Sequence, residues 1–311
     1  MTGASGCIGH YIVEALMPAN YELFLLVRNP DKLKFDVKAH PGITVIRSDL
    51  KDIEQHSELL KTMDSAILTA TSWGGADEIY QVNVEKNLKL MTLLDPDRCQ
   101  QVIYFSTASI LDRQNQLLPA AEEIGSDYIR SKYICYSKLG QLAIAPRITT
   151  LFPTLVFGGD DRHPDSHISA GIGEVVKWCK LIRFFQADGS FHFIHSQDIA
   201  QIVQHLIKHP PTGDQSRDLV LGNDRVTVDQ AIAEICNYLN QAPLLGISLS
   251  PWLIDLFIVL FRVQMGDWDR FSLRYRHFTH KYVTSPTAFG LPPYCATVSD
   301  ILKASGIAPA R

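Results

Sequence analysis

The chain has 311 residues, 46% of them hydrophobic and 20% charged, with a formal net charge of -4. That length and apolar fraction suit one large α/β unit or two unequal ones and exclude a disordered chain, while the small acidic excess excludes global attraction to nucleic acid or an anionic membrane. Six scattered cysteines, Cys7, Cys99, Cys135, Cys179, Cys236 and Cys295, exclude a disulfide framework or a zinc ribbon.

The stretch Met1-Thr2-Gly3-Ala4-Ser5-Gly6-Cys7-Ile8-Gly9 spaces its glycines three apart and runs into the apolar-periodic segment Ile8 to Leu16. Glycine is needed where a backbone turns sharply, approaches a pyrophosphate or presses a helix on a sheet, and the free N–H groups of the helix start then face the phosphates. An ordinary Gly-rich turn reads the same way. A dinucleotide loop normally follows a buried strand, yet only Met1 and Thr2 precede Gly3, so a natural start a few residues upstream is expected. A basic segment followed by an apolar core and a cleavage site is not evident here, and a cytoplasmic, reducing compartment is the default.

Strands and helices then alternate. Tyr21 to Val27 reads as a strand stopped by Arg28-Asn29-Pro30, and Arg28 stands where the adenosine ribose is met. An acidic residue there would accept from the ribose hydroxyls, whereas an arginine pairs with a 2′-phosphate, which favours NADP. Ile43 to Ile46 is the next strand, and the turn at Asp49 and Leu50 faces the adenine. Ala66 to Ala70 follows, its small end at Thr69 and Ala70 leaving room for a cofactor. A helical pattern from Asp77 to Leu94 carries Asn83, and Gln101 to Phe105 is a further strand. This alternation predicts a doubly wound parallel sheet.

Ser106-Thr107-Ala108-Ser109 closes that last strand with hydroxyls, at the edge where open α/β sheets hold ligands. In Asp127-Tyr128-Ile129-Arg130-Ser131-Lys132 a helix brings Tyr128 and Lys132 to one face. A phenol is a poor base at its ordinary pKa, and a neighbouring ammonium favours phenolate, so Tyr128 is expected to exchange a proton with a substrate oxygen near neutral pH.

On these residues, with Val82-Asn83-Val84, Phe152-Pro153-Thr154-Leu155-Val156-Phe157-Gly158 and Asp198-Ile199-Ala200, the chain resembles the short-chain dehydrogenase/reductase superfamily in its extended, epimerase/dehydratase-like branch. The resemblance implies a Rossmann-type doubly wound α/β sheet, its first strand truncated, with a smaller C-terminal substrate lobe. Residues 1–157 would form the dinucleotide core, 190–222 would return to it, and 158–189 with 223–311 would build the lobe. Tyr128 would be the general acid/base, Lys132 would bind the nicotinamide ribose, and Thr107 would hydrogen-bond the reacting oxygen. The dinucleotide, NADP with NAD as the alternative, would lie on Gly3, Ser5, Gly6, Cys7, Ile8 and Gly9. It would continue past Arg28, Asp49, Leu50, Thr69, Ala70 and Asn83 to Phe152 and Pro153. The expected activity is an NAD(P)-dependent oxidoreductase. The alternatives are an epimerase/dehydratase with recycled cofactor, or a non-catalytic dinucleotide-binding sensor or scaffold.

Two departures stand beside the resemblance. Leu155 occupies the place of the asparagine that contacts the sugar nucleotide in nucleotide-sugar members, and Tyr136 replaces the glutamate expected four residues after the lysine.

The polar loop Gly159 to His167 is placed to reach a substrate. Pro164 breaks the helix that a His163 and His167 metal pair would need, so no metal is expected. Phe191 to His195 reads as a strand, and Val228 to Leu239 as a helix capped by Thr227. The apolar run Trp252 to Phe261 is too short to span a bilayer. A lobe helix packed on the core or on a dimer partner is its plainest reading, with a membrane-surface contact or a lid over a hydrophobic substrate as the alternatives. The expected partner is a small molecule, tilted towards the apolar, and no nucleic acid.

Overall fold

A computed structural model of the protein describes residues 1–19, 21–212, 217–244, 246–249 and 265–309. The Trp252 to Phe261 run lies outside the described residues. The sheet is built from β1 (Leu23–Val27), β2 (Ile43–Arg47), β3 (Ser65–Leu68), β4 (Gln101–Phe105), β5 (Ile148–Pro153) and a strand at Arg217–Leu221. All neighbouring pairs are parallel. β1 lies against β2, and the other four run β3, β4, β5, Arg217–Leu221. Thr2 joins the two halves, bridging Leu26 on one side and Leu68 on the other. Its own N–H donates to the Ile67 carbonyl at 2.9 Å, and Leu26 N–H donates to the Met1 carbonyl at 3.0 Å. Thr2 therefore stands between the two halves, where the strand order reverses, and Gly3 to Gly9 follow at the carboxyl edge of that switch point, where such sheets bind ligands.

The residues of β3 and β4 alternate between two apolar layers, as a strand period of two demands. Ala66, Leu68, Val102 and Tyr104 face Leu90, Met91, Cys135 and Leu139. Ile67, Ile103 and Phe105 face Tyr11, Ile12, Leu16, Ile199, Val203 and Leu206. On this second face α1 (Cys7–Leu16) packs against the helix Ser196–Lys208. Burial on both faces explains why β4 and β5 are apolar or uncharged throughout.

Beyond β5 a smaller set of pairings begins. Leu155–Phe157 lies parallel to Phe193–His195, and Ser190–Phe191 pairs with Val226–Thr227 and His277–Phe278. The expected single strand from Phe191 to His195 is thus two short ones serving different partners. The 227–238 segment follows expectation: Thr227 Oγ1 accepts from Gln230 N–H at 3.1 Å, and the Gln230 side chain accepts from Thr227 N–H at 2.9 Å. Asp198, in the first turn of its helix, accepts from the Tyr294 and Cys295 N–H groups at 2.6 and 3.2 Å, tying the C-terminal segment to the sheet. Burial pushes its carboxyl up to about 6.

The helical pattern from Asp77 to Leu94 runs as Ala76–Tyr80, a π-helical turn at Gln81–Lys86, and Asn87–Leu93. Inside the widened turn Asn87 Nδ2 donates to the Val82 carbonyl at 2.8 Å. A cavity of about 40 Å3 lies against Thr2, β1 and β3, lined by Leu26, Leu60, Met63 and Leu68 among others.

Candidate active site

The glycine loop is shaped by contact. Gly3 has φ +75°, a conformation that costs any side chain, and a Cβ there would come within 2.6 Å of the Ala70 nitrogen. A Cβ on Gly9 would approach the Ala4 Cα to 2.8 Å, so α1 is seated directly on the loop. Gly6 differs: it is exposed, and its nearest neighbour on that side is the Gly3 carbonyl at 3.5 Å. Gly6 is also the N-cap of α1, with no side chain capping the helix start. First-turn N–H groups without a side-chain cap above an open glycine fit a pyrophosphate.

Ser5 is half-buried in the turn. The side chains of Cys7 and Ile8 are turned to the protein: the Cys7 sulfur lies 3.3 Å from Ser196 Oγ, burial pushes its thiol up to about 11, and Ile8 packs on the apolar layer around Ile199.

At the end of β4, Lys132 is buried on the helix Asp127–Leu139 and donates its Nζ to the Phe105 carbonyl at 2.8 Å. Desolvation lowers its ammonium to about 8. The same Nζ lies 5.9 Å from the centre of the Tyr128 ring. At that distance the charge does not offset the loss of water around the half-buried phenol, whose pKa is pushed up. The expected lowering of Tyr128 is therefore not met in this state, and Tyr128 stands as a protonated acid. Ser106 Oγ is buried without a hydrogen-bond partner. Thr107 is half-buried and caps the turn Ala108–Ile110, accepting from Ser109 N–H at 3.3 Å. An unpaired hydroxyl and a loosely paired one thus end the strand that Lys132 grips.

Thr69 Oγ1 donates to the Thr2 carbonyl at 2.9 Å, next to Gly3, and Ala70 N–H reaches Thr2 Oγ1 at 3.4 Å. Asn83 is fully buried. Its Oδ1 accepts from Thr71 Oγ1 at 3.0 Å and Ser72 N–H at 2.7 Å, and its Nδ2 donates to the Ser72 carbonyl at 3.2 Å and to Ser131 Oγ at 3.1 Å. All of these partners are protein groups, and through them Asn83 ties the 71–72 loop to the Tyr128 helix.

Sequence reasoning missed what that loop carries. Trp73, 55% exposed, stacks on Tyr128 with ring centres 3.8 Å apart and planes at 18°, and His167 meets the indole edge-on at 4.9 Å. A tryptophan in a Gly-rich loop was the only signal. His163 is elsewhere, stacked on Tyr11 at 3.7 Å with its ring nitrogens 2.8 Å from Asp160 and 3.0 Å from Glu14.

Arg28 is exposed at the end of β1, 4.0 Å from Asp49 and 3.7 Å from Glu78. Asp49 also caps the following turn through Lys51 N–H at 2.9 Å, while Leu50 is buried in the core. Phe152 is fully buried and Pro153 ends β5, so both can offer only backbone to a ligand.

Comparison with known proteins bears on the family and the fold. The family model described as the NAD dependent epimerase/dehydratase family matches residues 1–222. Among curated relatives, a sterol-4-alpha-carboxylate 3-dehydrogenase (decarboxylating) of Dictyostelium discoideum is 29% identical over 109 residues, 34% of this chain and 33% of the relative. An isoflavone reductase homologue of Solanum tuberosum is 29% identical over 154 residues, 45% of this chain and 50% of the relative. The chain thus spans between a third and half of the length of these relatives. Of the solved structures, the Bordetella bronchiseptica enzyme WbmG in complex with NAD and UDP has the same fold, with a TM-score of 0.67 at 15% identity over 98% of this chain and 92% of that one.

Proposed function

Since the chain belongs to the NAD-dependent epimerase/dehydratase family, we propose that it is a nicotinamide-dinucleotide enzyme, and specifically an NADP-linked oxidoreductase acting on a small molecule at a carbon that bears oxygen. The observation that carries this reading is the grip of Lys132 on the end of β4, which brings the Tyr128 helix to the hydroxyls of Ser106 and Thr107 at the edge that also holds the glycine loop. The dinucleotide supplies the hydride or accepts it. The chain supplies position and the proton. Tyr128, kept neutral by burial, gives its proton to a carbonyl oxygen as the adjacent carbon gains hydride. Thr107 steadies that oxygen. Lys132, buried and cationic below about pH 8, offsets the charge left on the phenol and holds the ribose.

Arg28 supports NADP over NAD. Its ion pairs with Asp49 and Glu78 are long and exposed, so a 2′-phosphate displaces them at little cost. Epimerisation or dehydration with recycled cofactor would use the same residues and is the second reading, favoured by the family match. Leu155, 38% exposed at the position of the sugar-binding asparagine, weighs against a nucleotide sugar. The presence of both Tyr128 and Lys132 weighs against a silent sensor.

Fluorescence titration with NADPH and NADH, followed by turnover of Tyr128→Phe, tests the reading. Binding of NADPH in preference to NADH, with turnover lost and binding kept in Tyr128→Phe, is expected. Unchanged turnover in that variant rejects Tyr128 as the acid, and no binding of either dinucleotide rejects the whole reading.

A further inference from the structure

The stack of Trp73 on Tyr128 is built rather than incidental. Its stem is fixed on both sides: Ser72 N–H and carbonyl are both held by Asn83, and Ser72 Oγ donates to Glu78 at 3.0 Å while accepting from Gly74 N–H at 3.2 Å. Asn83 also holds Ser131, whose hydroxyl donates to the Tyr128 carbonyl at 2.7 Å. One buried amide thus sets the position of the indole and of the phenol together.

An indole costs free energy to leave in water, because its large apolar surface gains from burial. Trp73 nonetheless keeps 55% of its surface exposed beside the proton donor. One face is spent on Tyr128 and an edge on His167; the remaining surface is open. Flat π-surfaces prefer offset stacks and edge contacts at the distances seen here. A second ring placed beside this one would extend an arrangement already made.

We propose that Trp73 is the specificity-determining residue of the site, an aromatic wall that takes the ring of a flat, apolar substrate whose carbonyl or hydroxyl carbon meets Tyr128. This rests on the oxidoreductase reading above. The substrate class is then an aryl or cyclic carbonyl compound, or its alcohol. Leu155 is a further exposed large apolar side chain, at the start of the short strand that follows β5.

The full chain with NADPH is assayed on acetophenone and on butanone, which share the reacting group and differ in the ring, as wild type, Trp73→Phe and Trp73→Ala. The ratio of kcat/KM for acetophenone over butanone is expected to fall about tenfold in Trp73→Ala, mainly through KM, and to recover in Trp73→Phe. Equal losses on both compounds would make Trp73 a prop for Tyr128 and overturn the proposal, as would an unaltered ratio. Binding is read without turnover by titrating wild type and Trp73→Phe with 1-phenylethanol and following tryptophan fluorescence. Quenching present in wild type and lost in Trp73→Phe supports the wall; no quenching, or equal quenching in both, overturns it. Tighter binding of UDP-glucose than of 1-phenylethanol rejects the substrate class and leaves the NADPH reading standing, whereas failure to bind NADPH rejects that reading first.

Discussion

Asn83 donates its amide to the hydroxyl of Ser131 at 3.1 Å, across 48 residues of chain and with both groups buried. The bond couples the loop after β3 to the helix of Tyr128. Replacing Asn83 by Ala removes bonds to Thr71, Ser72 and Ser131 and leaves buried groups unpaired. A loss on the order of 3 kcal/mol is expected from denaturant melts, with turnover falling further than the stability loss explains. Turnover kept at the wild-type level would deny the loop any part in the chemistry.

Lys132 is a cost to the fold. The sign follows from its lowered value: at pH 7 it is charged in both folded and unfolded chains, but the folded site disfavours that charge. Lys132→Met is expected to raise stability by on the order of 2 kcal/mol at pH 7 while abolishing turnover. The wild type should close part of the gap between about pH 8 and the ordinary lysine range, because over that window only the unfolded chain keeps the proton. Thermal melts at pH 7 and pH 9.5 read the difference; a variant less stable than wild type at pH 7 rejects the argument.

Arg28→Ala should weaken NADPH about tenfold and change NADH by less than about twofold, as expected for one charge-assisted contact to a phosphate at an exposed site. Isothermal titration with both dinucleotides measures it. Equal losses for the two would remove Arg28 from cofactor choice.

Gly3 and Gly6 should part company. Gly3→Ala places a side chain at positive φ against Ala70 and is expected to cost at least about 2 kcal/mol. A Cβ at Gly6 would make only an ordinary contact, 3.5 Å from the Gly3 carbonyl, so in Gly6→Ala the melting temperature should hold while dinucleotide affinity drops. Calorimetry beside a binding titration separates the two effects, and intact affinity in Gly6→Ala would move the pyrophosphate elsewhere.

Much of the framework could be read from periodicity and punctuation. The strand Gln101–Phe105 and the cap at Thr227 fall where expected, and α1 starts one residue earlier than its apolar period suggested. What failed was tertiary. Trp73 and Tyr128 are 55 positions apart in the numbering, and nothing local to either announces a stack. The pKa of Tyr128 depends on how far the folded helix holds the Lys132 ammonium from the ring, which a four-residue spacing alone does not state. The Phe191 to His195 run splits because its two ends pair with different strands, which alternation alone does not state.

The π-helical turn at Gln81–Lys86 carries a lesson about insertion and deletion. One residue is wound into that helix beyond the α-helical count, and each residue turns the helix by about 100°. Deleting a single position there would restore an ordinary helix, and would swing everything on one side of the cut around the axis by more than a quarter-turn. Asn83 would then point away from Ser72 and Ser131, or the apolar side chains Leu90 and Met91 would leave the sheet. Both cannot keep their places, so the register fault is a lock on chain length in a segment that, by composition alone, looks free to drift.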